Sequence, residues 1–133
     1  MGVVSIVAFT WLFVTLRSTR ERRAAAAATT ALLVDDDGVE RRLADGRRES
    51  VAWQDVVEVE VITTNTGVHR EDGALLVLAV DDVRGCIVPS RLAAEHGVID
   101  RLTRLPGFEH RRLAEALEVP PPSRTTCWTR PRP

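Results

Sequence analysis

The chain has 133 residues and a formal net charge of −1, with 18 Arg and no Lys. The charges are distributed unevenly: residues 17–23 carry four Arg against one Glu, whereas fourteen Arg face eighteen Asp or Glu from Ala24 onward, a net charge of −4. This size allows one domain with a usable core, and the acidic main part disfavours nucleic acid as a partner.

The amino-terminal segment is the most apolar part of the chain. Residues 1–16 carry no charge, and four basic residues follow at once: Arg17, Arg20, Arg22 and Arg23. An apolar run closed by a basic cluster predicts a transmembrane anchor whose following residues stay on the cytoplasmic side, with the four Arg in contact with lipid head groups. Sixteen helical residues span roughly 24 Å against a hydrocarbon core of about 30 Å, so this anchor would be short.

Two alternatives remain open for this segment. A cleaved signal peptide would need positive charge before the apolar run, where this chain has only its amino terminus, although Ala24–Ala28 offers small residues for cleavage. A buried core helix is the other alternative. The anchor interpretation predicts a single-pass protein of the inner membrane with a cytoplasmic domain, in which Cys86 and Cys127 stay reduced.

Short strands follow the Ala tract. Residues 29–34 predict a first strand and Val39–Leu43 a return strand, because the Asp-Gly between them is a strong hairpin signal. Apolar and polar residues alternate over Val51–Thr63, which predicts one long, half-buried strand. Trp53 lies on its apolar face and is expected to anchor the core, whereas Asp55 interrupts that face and marks a bend.

The second half of the chain changes from strands to helices. Ala74–Val80 is continuously apolar and predicts a strand covered on both faces, and Gly85–Val88 predicts a short strand stopped by a proline. Apolar residues then recur at helical spacing over residues 90–105, although a central glycine weakens this helix. A second helix is predicted over Phe108–Leu117, and Thr125–Thr129 could add an edge strand.

The order of several short motifs resembles the pleckstrin-homology-like (PH-like) superfamily. Val51–Val56 reads apolar-x-Trp-x-Asp-apolar, as at a strand start in many bacterial members. Other motifs are similar to a small group of bacterial proteins of this type: Thr63–Gly67, Glu71-Asp72, Gly85–Pro89 and Leu105–Phe108. The resemblance covers Leu32–Trp128 and implies a fold but no activity, because the group has none established. Phosphoinositide-binding members carry Lys and Arg at the first hairpin, where Asp35–Gly38 would repel such a ligand.

No group of residues in the sequence strongly indicates a catalytic or metal-binding site. His69, Glu71 and Asp72 could bind a metal, but a charged loop tip accounts for the same residues. Ser90 and His96 lack an orienting third group and a nucleophile elbow, and the cysteines form no CxxC pair. We therefore expect no enzymatic activity, cofactor, metal or small-molecule substrate.

Together these features predict an α+β protein. Its expected parts are an anchor with a basic flank (residues 1–23), an Ala/Thr linker (24–31) and a PH-like domain (32–133), in which an antiparallel β-meander or partly open barrel precedes C-terminal helices. The expected function is membrane-anchored, non-enzymatic binding of a protein, through strand addition at a sheet edge and acidic loops that favour a basic partner. The alternatives are an anionic-lipid-sensing domain and a small hydrolase or metal-binding protein.

Overall fold

Among the residues that the structure describes, seven strands form two antiparallel sheets. The structure is a computed structural model and describes residues 28–66 and 70–133. The first sheet contains, in spatial order, β1 (Thr29–Val34), β2 (Gly38–Leu43) and β3 (Arg48–Ala52). The second contains β4 (Glu58–Thr63), β5 (Ala74–Ala79), β6 (Gly85–Pro89) and β7 (Ser123–Thr129), in the spatial order β6-β5-β4-β7.

Three short helices lie between β6 and β7. They are α1 (Ser90–Glu95), α2 (Val98–Leu102) and α3 (His110–Leu117). The sequence predicted a single helix over residues 90–105, but Gly97 has a φ of 76° and separates α1 from α2. This left-handed conformation costs a glycine little and interrupts the helix, so the chain turns between the two.

The long strand predicted over Val51–Thr63 is divided between the two sheets. β3 ends at Ala52, a 3₁₀ turn occupies Trp53–Asp55, and β4 begins at Glu58. The backbone N–H of Trp53 donates to the carbonyl of Asp37 at 3.0 Å, which holds this turn against the β1–β2 hairpin. Asp55, which interrupts the apolar pattern, therefore lies in the turn that carries the chain from one sheet to the other.

The main core lies between the inner face of the second sheet, the helices and one end of the first sheet. The sheet contributes Val59, Val61, Leu76, Leu78 and Val88; the helices contribute Ala93, Val98, Leu102, Leu113 and Ala116; and the first sheet contributes Leu32, Val39 and Val51. All these side chains are buried. Burial of this apolar surface is the main source of stability for such a fold.

A buried ion pair lies within the first sheet, and its carboxylate also accepts a hydrogen bond from the second sheet. The side chain of Arg41 in β2 is fully buried, and its Nη1 donates to Oε1 of Glu49 in β3 at 3.0 Å. The same Oε1 accepts the backbone N–H of Ile87 in β6 at 2.9 Å, and Arg41 Nε donates to Thr29 Oγ1 at 2.7 Å. A buried guanidinium is tolerated only where charge and hydrogen bonds compensate it, and Glu49 supplies both.

The predicted fold class and localisation were wrong. The strands form two sheets rather than one PH-like meander or partly open barrel, because the 3₁₀ turn separates β3 from β4. Within residues 28–66 and 70–133 no helix is long and apolar enough to cross a membrane. The predicted anchor, residues 1–23, lies outside the described residues, so a single-pass inner-membrane protein with a cytoplasmic domain is not supported. What the structure shows is a small α+β fold.

Candidate functional site

A cleft of about 300 Å³ lies where the 3₁₀ turn, the end of α2 and the residue after β7 meet. Three arginines line it, two at the end of α2 and one after β7, and we call it the arginine cleft. The residues that line it are Asp36, Trp53, Gln54, Arg101, Arg104, Leu105, Pro106 and Arg130. Three guanidinium groups against an aromatic floor suit a ligand with negative charge.

The backbone holds Arg130 in a fixed position. Its N–H donates to the carbonyl of Val57 at 2.8 Å, its Nε to the carbonyl of Val56 at 2.9 Å, and its Nη2 to the carbonyl of Trp53 at 3.2 Å. The guanidinium carbon also lies 5.3 Å from the ring centroid of Trp128, within cation–π range. Carbonyl groups and an aromatic ring orient the guanidinium but carry no net charge, so Arg130 keeps its full positive charge.

The other two arginines differ in whether an acidic side chain pairs with their positive charge. Arg101 forms an ion pair with Asp36 of the β1–β2 turn. Arg104 is exposed, and its side chain makes no hydrogen bond or ion pair with the residues that the structure describes. Three arginines against one aspartate leave the arginine cleft with a net positive charge, although the chain from Ala24 onward is acidic.

One tryptophan lines the cleft and a second supports a lining residue. Trp53, predicted from sequence as a core anchor, is 9% exposed, belongs to the main core, and donates from Nε1 to the carbonyl of Asp35 at 2.9 Å. Trp128 donates from Nε1 to the carbonyl of Pro106 at 2.9 Å and thereby fixes the loop after α2. Both indoles are hydrogen-bonded and buried, so Trp53 and the Pro106 carbonyl that Trp128 holds are fixed where they line the cleft.

The remaining sequence-predicted residues do not form a site in the described chain. Arg17, Arg20, Arg22 and Arg23, predicted to contact lipid head groups, lie outside the described residues, as does His69 of the proposed metal loop. Asp72 accepts a hydrogen bond from Ser90 Oγ at its backbone carbonyl, at 3.2 Å, and its carboxylate lies 3.7 Å from Arg91. No group of three or more His, Cys, Asp or Glu is placed to bind a metal ion among residues 28–66 and 70–133.

Both cysteines are free and buried. Burial raises the pKa of the Cys127 thiol to about 11 and that of Cys86 further still, to which the nearby Glu49 carboxylate also contributes. The thiolate is the reactive form of cysteine, and at neutral pH each thiol is protonated and shielded. Their positions indicate a packing role in the core.

The sheet edges differ in their accessibility. β3 and β6 lie at facing edges of the two sheets and contact each other, and the Glu49 carboxylate occupies the backbone N–H of Ile87 on β6. The other two edge strands are β1 and β7. Strand addition at a sheet edge, expected from sequence, could therefore use only these two strands among the described ones.

The three arginines of the cleft were not identified by sequence analysis. Arginine supplies every charged basic side chain in this chain, so no single Arg stands out, and Arg130 lies in the short terminal stretch beyond the last predicted strand. The one usable signal was Trp128 followed two residues later by Arg130, which places an aromatic ring beside a cation at the end of a strand. Only the fold brings these residues together with α2.

Comparisons with known proteins gave no match. No protein-family model matches the chain, and neither does any curated protein or solved structure. The resemblance to PH-like proteins stays a prediction.

Proposed function

We propose that this chain is a non-enzymatic protein-binding module whose arginine cleft receives an acidic side chain or a terminal carboxylate of a partner protein. The observation that carries this proposal is the convergence of Arg101, Arg104 and Arg130 on one cleft with a tryptophan floor. Guanidinium groups bind carboxylates with two parallel hydrogen bonds, which gives geometric specificity as well as charge attraction.

The three arginines would contribute differently to binding. Arg130 is already oriented by backbone carbonyls, so little side-chain entropy is lost when it contacts a ligand. Arg104 is exposed and offers all its donors. Arg101 is paired with Asp36, and this aspartate would repel a ligand carboxylate that approached from the β1–β2 turn. The ligand charge is therefore expected between Arg104 and Arg130.

The size of the cleft favours a peptide over a membrane surface. A volume of about 300 Å³ accommodates one or two side chains, and it is at the lower end for ligand pockets. An anionic bilayer would instead present a broad negative surface to a domain with a net charge of −4, and the two would repel each other. The acidic loops expected to attract a basic partner are partly neutralised, because Asp36 is paired with Arg101.

The proposal is tested by fluorescence anisotropy with labelled peptides. The full chain is titrated against a Glu-rich peptide and a matched peptide with Gln in place of Glu, at low and high salt. Loss of one ion pair with the peptide is worth about 1 kcal/mol. Arg104→Gln should therefore lower the affinity for the Glu peptide about fivefold. Arg48→Gln is the matched control, because Arg48 is exposed and lies at the end of β3 away from Trp53.

Three results would count against the proposal. The first is equal binding of the Glu and Gln peptides, and the second is equal effects of Arg104→Gln and Arg48→Gln. The third is that the chain does not bind the Glu peptide but binds anionic vesicles in a salt-sensitive way, and that Arg104→Gln abolishes the vesicle binding. This result would favour the lipid-sensing alternative. Preserved circular dichroism in both variants separates these results from unfolding.

A further inference from the structure

One acidic side chain, that of Asp36, lies in the arginine cleft beside the three arginines. Its carboxylate accepts a hydrogen bond from Nη2 of Arg101. Arg104 and Arg130 form no ion pair with the residues that the structure describes. Within the described chain, Arg101 is therefore the member of the cleft whose guanidinium group is already occupied by a carboxylate of the protein itself.

Hydrogen bonds of the β1–β2 turn fix the position of Asp36. The carbonyl of the preceding Asp35 accepts Nε1–H of Trp53 at 2.9 Å, and the carbonyl of the following Asp37 accepts the backbone N–H of Trp53 at 3.0 Å. The Asp35 carboxylate accepts the N–H groups of Asp37 and Gly38, at 2.8 Å and 2.9 Å, and closes the turn. The turn that carries Asp36 is thus attached to the tryptophan that forms the floor of the cleft.

Asp36 differs from its two acidic neighbours in the cleft that it lines. Asp35 and Asp37 line another cleft, beside β2 and β3, whose described lining contains no arginine. Of these three consecutive aspartates, Asp36 is therefore the one that meets the arginines. Asp37 offers a matched position, one residue away, where the same charge can be removed outside the arginine cleft.

We propose that Asp36 is a specificity-determining residue of the arginine cleft. It occupies Arg101 as an internal carboxylate, and so favours partners that present one carboxylate over partners that present two; this inference rests on the proposed function. A single carboxylate can bind between Arg104 and Arg130 without disturbing Asp36. A second one has to displace Asp36, because both compete for the same guanidinium group and like charges repel each other.

The exposure of this ion pair sets the size of the effect. The side chain of Asp36 is 88% exposed and that of Arg101 is 27% exposed, so water and salt screen the attraction between them. Displacing such a pair lowers the affinity for a second carboxylate by about fivefold, which discriminates between ligands without excluding either. Without Asp36, the ligand could pair with all three guanidinium groups.

Peptide titrations of the full chain test this proposal. Three labelled peptides differ only at two adjacent positions, which hold Gln-Gln, Glu-Gln or Glu-Glu. Asp36→Asn should raise the affinity for the Glu-Glu peptide about fivefold, and that for the Glu-Gln peptide by less than about twofold. Asparagine suits a turn as aspartate does, so the variant keeps the fold. Asp37→Asn is the matched control and should leave the ratio of the two affinities unchanged.

A measurement without peptide separates this inference from the proposed function. Glutarate, a dicarboxylate, is added to the ¹⁵N-labelled chain, and NMR follows the side-chain Nε–H signal of Arg101, which is assigned with Arg101→Lys. Half of the shift should occur at about fivefold lower glutarate concentration in Asp36→Asn than in the natural chain. If neither chain binds the peptides but this difference is found, the proposed function fails, whereas the control of Arg101 by Asp36 is supported.

Four outcomes would overturn the inference. Equal gains for the Glu-Gln and Glu-Glu peptides would mean that Asp36 only lowers the overall positive potential of the cleft. Equal effects of Asp36→Asn and Asp37→Asn on the affinity ratio would mean that the pair with Arg101 has no influence. Weaker binding of the Glu-Glu peptide by Asp36→Asn would mean that Asp36 orients Arg101 for the ligand. The same glutarate dependence of the Arg101 signal in both chains would mean that Asp36 does not compete for this guanidinium group.

Discussion

Replacing Glu49 with Gln should destabilise the protein through the fully buried Arg41. The amide keeps the shape of the side chain and an oxygen for the N–H of Ile87, but it removes the negative charge that compensates Arg41. Breaking a buried ion pair from one side costs about 3–5 kcal/mol. Because Glu49 is 16% exposed and water screens part of the loss, we expect about 2–3 kcal/mol of lost unfolding free energy.

Urea unfolding followed by tryptophan fluorescence measures this effect. With a slope of about 2 kcal/mol per molar urea, the transition midpoint of Glu49→Gln should fall by about 1–1.5 M. Glu40→Gln is the matched control, because Glu40 lies in the neighbouring strand and pairs with Arg42 at the surface, at 3.1 Å with both side chains partly exposed. An exposed pair is worth less than about 1 kcal/mol, so the control should shift little.

A double-mutant cycle shows whether Arg41 is the cause. Arg41→Met removes the buried charge, so Glu49→Gln should cost at least about 1 kcal/mol less in that background than in the natural chain. Equal costs of Glu49→Gln and Glu40→Gln, or a Glu49→Gln cost that Arg41→Met does not change, would refute the reasoning. The ion pair between Arg41 and Glu49 would then contribute no more than an exposed pair.

Three further predictions concern pH, thiol reactivity and the helix break. The Arg84 side chain and the N–H groups of Val83 and Arg84 lower the pKa of Asp81 from 3.8 to about 2, so its stabilisation is complete above about pH 4 and is lost as the pH falls through about 2. The melting temperatures of the natural chain and Asp81→Asn should therefore converge between pH 4 and pH 2; a constant difference would contradict this. Ellman's reagent at pH 8 should label the cysteines only in urea, since both are buried with raised pKa values; rapid labelling of the folded protein would contradict their placement. Gly97→Ala should cost about 1–2 kcal/mol in urea unfolding because Gly97 has a positive φ, and an unchanged midpoint would contradict that conformation.

Local sequence patterns predicted where most strands lie, but not how the strands are divided between sheets. Alternation over Val51–Thr63 is continuous in sequence, and the 3₁₀ turn at Trp53 is stabilised by the carbonyl of Asp37 and by Arg130, which are distant along the chain. Such contacts have no periodic signal. The β5 prediction was better, because a strand buried on both faces is apolar throughout, and the structure has Ala74–Ala79 there with every residue buried.

The arginine cleft could not be predicted for the same reason. Arg101 and Arg104 follow the charge pattern of a solvated helix end, and Arg130 follows that of a tail. Their shared position depends on β7 pairing with β4, which brings the residue after β7 to the 3₁₀ turn. The amino-terminal segment illustrates a different limit, since its apolar run of sixteen residues is short for the predicted anchor and is also compatible with a buried core helix.

The pairing of the last strand with β4 sets the order in which this protein can fold. β4 lies between β5 and β7, and its partner β7 is made about sixty residues later, so during synthesis β4 has one unpaired edge until Thr129 has left the ribosome. Closing so long a loop is entropically costly, which makes this pairing a late and slow step. Chains that stop before β7 would expose β4 as an open template for other strands, so premature termination should yield aggregates rather than a smaller folded domain.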